Sequence, residues 1–138
     1  MTDRLIGIDF GLSKVGLSIS DPLKIISIPL KVIKYKKREE LLSKLKEIAI
    51  ENDVKSFVIG YPLNMNNKKN EMTKLVDDFF EELKNSNFNV FLQDERLSSE
   101  SAKKIMHEQN IKTGKNKEHI DLIASTIILQ SFLDKGSF

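Results

Sequence analysis

The first apolar segment of the chain is Arg4-Leu5-Ile6-Gly7-Ile8-Asp9-Phe10-Gly11. Its apolar residues form a short run typical of a strand buried in a sheet, yet an aspartate stands near the end of that run. A carboxylate costs free energy to bury unless it is paired or binds a metal, so Asp9 calls for a partner elsewhere in the chain. The alternative interpretation is that Asp9 marks the exit of the strand into a turn.

Composition predicts one domain and limits the chemistry. The chain has 138 residues, 40% of them hydrophobic, which suits a single domain over residues 1–138. Its net charge is only +2, so affinity for nucleic acid would have to come from local clusters or bound metal. The absence of cysteine excludes disulfides, thiolate zinc sites and cysteine nucleophiles, and fits a reducing cytoplasm.

The sequence predicts neither a signal peptide nor a membrane-spanning segment. The N-terminus has no pattern of a signal peptide. The most apolar C-terminal stretch, 120–133, is interrupted by polar residues and is shorter than the ~20 residues that span a bilayer. We therefore expect a soluble, cytoplasmic protein with no membrane partner.

The first third of the chain predicts three antiparallel strands. Short turns join the first strand to a second at Lys14–Ser20 and to a third between Lys24 and Ile33. The second alternates apolar and small polar residues, as a strand with one covered face would. Pro29 cannot donate a ladder hydrogen bond, so the third strand should be bent or lie at an edge.

Helices and strands then alternate. Hydrophobic periodicity predicts a helix from Arg38 to about Asn52, strands at 56–60 and 88–92, and a helix over 72–83. Two further helices are expected, one after Ser98 and one from about Lys117 to Asp134. Right-handed crossovers place strands four and five beside strand one. The prediction is a three-layer α/β fold, with a five-stranded mixed sheet of order 3-2-1-4-5 and helices on both faces.

Three acids could meet at one edge of this sheet. Asp9 ends strand one, Glu95 follows strand five, and Asp121 lies near the start of the last helix. Together they would repel one another unless a cation lay between them, and hard divalent cations prefer such oxygen ligands. Singly, Asp121 could complement the helix dipole and Glu95 could pair with Arg96 in an exposed turn. Spacing alone leaves their convergence open.

Four segments together resemble the YqgF family of RNase H-like nucleases, whose members carry the names Holliday junction resolvase and pre-16S rRNA nuclease. Asp-x-Gly occurs at 9–11, followed by Gly16 and Ser20-Asp21. The other three are Gly60-Tyr61-Pro62-Leu63-Asn64-Met65, Asp94-Glu95-Arg96-Leu97-Ser98-Ser99, and Ile120-Asp121 with Ala124 and Ile128-Leu129-Gln130. Asp-x-Gly alone is a weak signal, but four segments in order and at appropriate intervals are specific.

The resemblance implies an RNase H-like fold and an active site. Its catalytic and metal-binding residues would be Asp9, Glu95 and Asp121, with Asp9 bridging two Mg²⁺ or Mn²⁺ ions and the other two acids completing the shell. Its substrate-binding residues would be Lys14, Asn64 and Arg96. The implied reaction is hydrolysis of phosphodiester bonds at the 5′ end of pre-16S rRNA, in ribosome biogenesis.

The sequence departs from the family pattern in three places. Ser13-Lys14 stands where Lys-Arg is frequent, which replaces a planar bidentate donor by a point charge. Asn66-Asn67 stands where Asp-Gly is frequent, which leaves the conformation of that loop open. Ser125 replaces a usual alanine, and we expect that change to affect packing only.

Other functions remain open at this point. A Holliday junction resolvase in DNA recombination and repair would need two opposed sites and therefore a symmetric dimer, so both monomer and homodimer are retained. A non-catalytic RNA-binding assembly factor could use the lysine clusters at 31–38, 68–69 and 112–117, although each cluster alone is more simply a solvated surface. The expected partner is nucleic acid, with RNA preferred and branched DNA as the alternative. Asp-x-Gly also resembles actin-like and sugar-kinase ATPases, but those need a second domain.

Overall fold

The computed structural model describes residues 4–62, 70–94 and 117–136, which form one five-stranded sheet with helices on both faces. The strands are β1 (Arg4–Asp9), β2 (Lys14–Ser20), β3 (Ser27–Lys34), β4 (Val54–Tyr61) and β5 (Asn89–Asp94). The helices are α1 (Arg38–Asn52), α2 (Glu71–Asn85) and α3 (Lys117–Lys135). The helix predicted after Ser98 and the loop segments 63–69 and 111–116 lie outside the described residues.

The strand order is β3-β2-β1-β4-β5, which confirms the predicted topology. β1 pairs antiparallel with β2 and parallel with β4, and β4 pairs parallel with β5. The carboxyl ends of β1, β4 and β5 therefore share one edge of the sheet. β1 is central, and Ile6 and Ile8 on it are fully buried.

Two apolar layers hold the helices to the sheet. In the larger layer, α1 and α2 cover one face, and the Phe10 ring lies 4.9 Å from the Phe79 ring. Phe79 is completely buried, as its position in the helical stripe of α2 predicts. In the smaller layer α3 covers the other face, and Phe132 contacts Phe91 with ring centroids 5.2 Å apart. Among the described residues, no helix has the length and apolar character needed to cross a membrane.

β2 is buried on both faces, so the prediction of one covered face was wrong. Its large residues Val15, Leu17 and Ile19 join the α1 and α2 layer. Gly16, Ser18 and Ser20 alternate with them and face α3. In the sequence these small polar residues indicated a face exposed to solvent, but in the structure they let α3 approach closely.

β3 lies at the edge of the sheet and is irregular, as Pro29 predicts. Leu17 is opposite Lys31 while Ser18 is opposite Pro29, so the register shifts by one residue. An extra residue in one strand bends it and interrupts pairing. This places the residue without an N–H where a ladder hydrogen bond is already lost.

The turn between β2 and β3 is organised by Asp21. Its carboxylate accepts backbone hydrogen bonds from Ile25 N at 2.7 Å, Ile26 N at 2.8 Å and Leu23 N at 3.2 Å. These bonds, the one from Ile26 foremost, lower the pKa of Asp21 below its usual value despite the opposing effect of desolvation. A carboxylate with a lowered pKa stabilises the fold above its unfolded-state pKa, and this stabilisation is lost as pH falls through the folded-state pKa.

Asp21→Asn should therefore lower the free energy of unfolding at neutral pH, because an amide accepts these bonds more weakly than a carboxylate does. The difference from the wild type should shrink as the pH falls through the range where Asp21 protonates. Urea unfolding of both proteins across acidic and neutral pH measures it. A difference that is constant with pH would contradict the role given to the charge.

α3 is joined to the sheet by buried polar contacts as well as by apolar ones. Ser18 Oγ donates to Ser125 O at 2.8 Å, and Ser125 Oγ donates to Gly7 O at 2.9 Å. The two hydroxyl oxygens lie 3.0 Å apart. Further along α3, Gln130 Oε1 accepts from Ser27 N at 2.9 Å. Ser125 was expected to affect packing only, and that expectation was wrong, because its hydroxyl bonds the central strand.

Ser125→Ala should lower the free energy of unfolding by about 1 kcal/mol, since it removes the hydroxyl that bonds Gly7 O. Ser131→Ala is the matched control, because Ser131 lies half-buried on the same helix and makes no side-chain hydrogen bond among the described residues. Chemical denaturation measures both. Equal losses in the two variants would show that the Ser125 network contributes nothing.

Candidate active site

Asp9 is the last residue of β1 and lies on the face of the sheet that α3 covers. Ile6 and Ile8 face α1 and α2, and Leu5 contacts α3. Side chains alternate along a strand, so Asp9 faces α3 with Leu5 and Gly7. It is half-buried and stands opposite Gly16 of β2.

Gly16 brings Asp121 to the same place. A Cβ at Gly16 would collide with the carbonyl oxygen of Asp121 and lie 2.8 Å from its carbonyl carbon and 3.2 Å from its Cβ. The backbone of α3 therefore rests directly on β2 at this residue, beside the end of β1. Asp9 is the strand neighbour of Gly16, and Asp121 lies above Gly16. The two acids, 112 positions apart in sequence, share one end and one face of the sheet.

Asp121 is the fifth described residue of α3 rather than part of its first turn. The helix dipole acts mainly within that first turn, so complementing the dipole is a weaker account of this acid than the sequence allowed. Instead, Lys14 Nζ lies 3.0 Å from Asp121 Oδ2, with the two side chains 33% and 24% exposed. An ion pair this accessible contributes at most about 1 kcal/mol to stability.

Asp121 Oδ2 can hold more than this ion pair. The oxygen is buried, and among the described residues it accepts no hydrogen bond of good geometry. The contact with Lys14 meets the distance of an ion pair without the direction of a hydrogen bond, so we count it as charge pairing only. A buried carboxylate oxygen with spare lone pairs suits a cation. In this respect the residues present fit a divalent metal.

The described residues form only part of the predicted site. Asp9, Lys14 and Asp121 come to one edge of the sheet, while Glu95, Arg96 and Asn64 lie outside the described ranges. Within those ranges no three acids or histidines are grouped as a metal site would need. β5 extends through Asp94, which pairs with Tyr61, so Glu95 follows the strand directly in sequence.

Tyr35 holds the turn between β1 and β2, a role that the sequence did not predict. Its hydroxyl donates to Gly11 O, and its backbone N donates to Ser13 O at 3.0 Å. Burial raises the pKa of Tyr35, against a smaller opposing effect of Arg38, so its hydroxyl stays protonated at neutral pH and remains a donor. The turn is tight, since a Cβ at Gly11 would lie 2.5 Å from Lys14 O. No periodicity or motif marks such a tyrosine, whereas the small residues on one face of β2 could have indicated the close approach of a helix.

Comparison with known proteins identifies the family. The family model described as "RuvX: Holliday junction resolvase" matches residues 3–135. The chain belongs to the RuvX family. Two relatives of this RuvX chain are named "Putative pre-16S rRNA nuclease": one from Ruminiclostridium cellulolyticum is 38% identical, covering 96% of this chain and 94% of the relative. The other, from Mycoplasmopsis synoviae, is 39% identical and covers 95% of this chain and 97% of the relative. The family resemblance found in the sequence is confirmed.

Solved structures show that the RuvX chain has the fold of RNase H-like nucleases. RuvC of Thermus thermophilus, in complex with a Holliday junction substrate, superposes with a TM-score of 0.58 at 13% identity, over 98% of this chain and 97% of RuvC. The large terminase nuclease of a thermophilic phage gives a TM-score of 0.59 at 15% identity, over 94% and 81% of the two chains. At these identities the likeness is one of fold, and it confirms the predicted fold class.

Lys14→Gln should make stability more dependent on divalent metal, because it removes the positive charge that Lys14 places beside the Asp121 carboxylate in the metal-free protein. In the presence of EDTA we expect a lower melting temperature than the wild type, by the equivalent of at most about 1 kcal/mol. Added Mg²⁺ or Mn²⁺ should then raise the melting temperature of the variant more than that of the wild type. Thermal unfolding with and without metal measures this.

Lys44→Gln is the matched control, since it breaks the exposed pair of Lys44 with Glu40 at 3.1 Å on α1. Metal should affect this variant as it affects the wild type. If metal raises the melting temperatures of all three proteins equally, Lys14 does not compete with a cation for Asp121.

Proposed function

We propose that this RuvX-family chain is a divalent-metal-dependent nuclease that processes the 5′ end of pre-16S rRNA in the cytoplasm. The observation that carries the proposal is the buried Oδ2 of Asp121, without a hydrogen bond in the described part of the chain and held over Gly16 beside Asp9. The names of the two relatives support the substrate. Their coverage of almost the whole chain supports transfer of the complete activity rather than part of it.

Asp9, Asp121 and Glu95 would hold Mg²⁺ or Mn²⁺, since hard divalent cations prefer carboxylate oxygens, and the family resemblance implies two ions. Glu95 is included because it directly follows β5 in the sequence and belongs to the motif at 94–99. When bound, such ions activate water and stabilise the charge of the leaving oxygen in phosphodiester hydrolysis. The chain itself contributes fixed carboxylates on rigid elements, one at a strand end and one on a packed helix, which limits their motion.

Lys14 would act on the substrate. The Lys14 ammonium has three N–H donors. One faces Asp121, so the other two can reach a phosphate oxygen. A lysine is a point charge and tolerates a range of phosphate orientations, whereas an arginine at this place would favour one bidentate geometry. Asn64 and Arg96 complete the proposed substrate contacts, on the strength of the sequence motifs alone.

Junction resolution is the second candidate, because the family as a whole is described as a Holliday junction resolvase. The same acids could hydrolyse a phosphodiester bond in branched DNA. A resolvase must cut two strands symmetrically, which requires two copies of the site related by a two-fold axis. The two candidates therefore differ in substrate and in oligomeric state, and not in the chemistry of the site.

Cleavage by the purified protein tests the proposal. The substrates are a pre-16S rRNA 5′ leader, an unrelated single-stranded RNA and a four-way DNA junction, each with Mg²⁺, Mn²⁺ or EDTA. Asp9→Asn should lower the rate by at least about 100-fold, the scale seen when one group that stabilises the transition state is removed. Asp78→Asn, the same change at an exposed position on α2, should leave the rate unchanged.

The outcomes separate the candidates. Metal-dependent cleavage of the leader that Asp9→Asn abolishes supports the rRNA nuclease, and preferential cleavage of the junction by a dimer supports the resolvase. If none of the substrates is cut under any metal condition while RNA is still bound, the catalytic proposal fails. The protein is then better described as an RNA-binding assembly factor.

A further inference from the structure

A basic segment reaches the edge of the sheet that carries the candidate active site. Residues 31–38 contain five basic residues and no acidic one. β3 carries this segment alongside β2, with Lys34 opposite Lys14. Beyond the end of β3, Tyr35 N donates to Ser13 O at 3.0 Å. The segment therefore ends beside the turn that joins β1 to β2.

We propose that Lys36 and Lys37 form a phosphate-binding surface, the lysine platform, which holds the nucleic acid strand on one side of the active site. The inference rests on the proposed function, since it assigns a position to the same substrate. It adds a binding surface that is distinct from the acids and from Lys14. The ligand chemistry is the phosphodiester backbone, which RNA and DNA share.

The platform is close enough to the acids for one nucleic acid strand to contact both. β3 is two strands away from β1, and Lys36 is four residues beyond Val32, the residue opposite Gly16. Strand spacing and rise per residue then put the backbone of Lys36 on the order of 15 Å from that of Asp9. A duplex strand advances about 3.4 Å per phosphate, so the platform would meet phosphates roughly four nucleotides or fewer from the bond that is cut.

The charges of the platform are available to a ligand. Lys36 and Lys37 are exposed, and within the described ranges neither forms an ion pair. Their neighbours differ: Arg38 is bound to Glu82 at 2.7 Å, and Lys31 and Lys34 line a cleft that also contains Glu47 and Glu51. We therefore leave Arg38, Lys31 and Lys34 out of the platform.

The nearest acids do not cancel this charge. Glu39 and Glu40 follow in the first turn of α1, where they complement the helix dipole. Glu40 is in addition bound by Lys44 at 3.1 Å. Lys36 and Lys37 are thus opposed by one exposed acid without a described ion pair, Glu39. The local charge stays positive although the whole chain has a net charge of only +2.

Tyr35 connects the platform rigidly to the active-site turn. The residue sits between Lys34 and Lys36, its side chain is buried, and its hydroxyl bonds Gly11 O. Lys44 Nζ also donates to Lys34 O at 3.2 Å, which fixes the end of β3 to α1. A surface whose backbone is held on both sides loses little entropy on binding, so its charges act in a defined position.

Binding without metal tests the platform independently of cleavage. Fluorescence anisotropy in EDTA, with a labelled 20-nucleotide single-stranded RNA and a labelled four-way DNA junction, would compare wild type with Lys36→Gln/Lys37→Gln. Loss of two phosphate contacts should weaken binding roughly tenfold at 0.1 M salt and reduce the slope of log K against log salt by about 1.4 for the single strand. The matched control is Lys55→Gln/Lys84→Gln, two exposed lysines near the amino end of β4 and at the end of α2 before β5, which should change neither value.

Equal affinities and slopes in wild type and the platform variant would overturn the inference, as would an equal loss in the control. The failure of the proposed function looks different. If the wild type cuts nothing but binding still depends on Lys36 and Lys37, the platform stands and the nuclease does not. If cleavage needs Asp9 while binding ignores both lysines, the nuclease stands and the platform does not.

The position of the strand can be mapped because the chain has no cysteine. Lys36→Cys would carry a single iron–EDTA group, whose radicals cut nearby nucleic acid. We expect cutting on one side of the bond that the wild type hydrolyses and within a few nucleotides of it, with no cutting from Lys55→Cys. Cutting far from that bond, or equal cutting from both positions, would show that the substrate does not cross the platform.

Discussion

The close contact of α3 with β1 and β2 brings Asp9 and Asp121 to one end of the sheet. A Cβ at Gly7 would lie 2.5 Å from Ser18 Oγ and 2.8 Å from Leu129 Cβ, and a Cβ at Gly16 would meet the backbone of Asp121. Two glycines thus let a helix lie on the sheet at a distance that larger residues forbid. Aspartate is a short side chain, so Asp9 and Asp121 can act on a common ligand only if their backbones are this close. Any residue that lifted the helix by an ångström would separate them, and misplacements of that size are costly in catalysis.

A helix so close to a sheet buries polar groups, and these groups differ in whether they have a hydrogen-bond partner. Ser18, Ser125 and Gln130 find partners at normal hydrogen-bond distances, whereas Ser27 Oγ in the same interface is buried without a hydrogen bond from any described residue. At the end of the same interface, Asp121 Oδ2 is buried without a hydrogen bond from any described residue. Lys14 Nζ at 3.0 Å gives this oxygen a charge partner without a hydrogen bond. A buried acceptor without a hydrogen bond costs free energy, and the proposed cation site would give this oxygen a ligand.

The sequence predicted the architecture because the signals involved are local. Periodicity located the strands and helices, and the handedness of crossovers then ordered the sheet without any knowledge of contacts. Periodicity gave the wrong prediction for β2, because alternating small residues form the same pattern whether they face water or the backbone of a helix. It also missed Tyr35, whose partners Gly11 and Ser13 are more than twenty positions away and leave no pattern. For Asp9 and Asp121, spacing left convergence open, and family resemblance rather than physics first joined them.

The charged residues are placed so that they would affect where a nucleic acid strand lies more than how tightly it binds. A chain with 22 basic and 20 acidic residues has little long-range attraction for nucleic acid. At the carboxyl edge of the sheet, however, Asp9 and Asp121 lie beside Lys14, and the exposed Lys36 and Lys37 follow the neighbouring strand end. A polyanion that meets this edge finds positive charge on one side of the acids, through contacts that are screened within about 8 Å at physiological salt. Attraction of such short range cannot gather substrate from a distance, but it favours one path of the strand across the acids over its alternatives. In the proposed function, the electrostatics would therefore set the register of a bound strand, which is the property that a nuclease acting at one defined position requires.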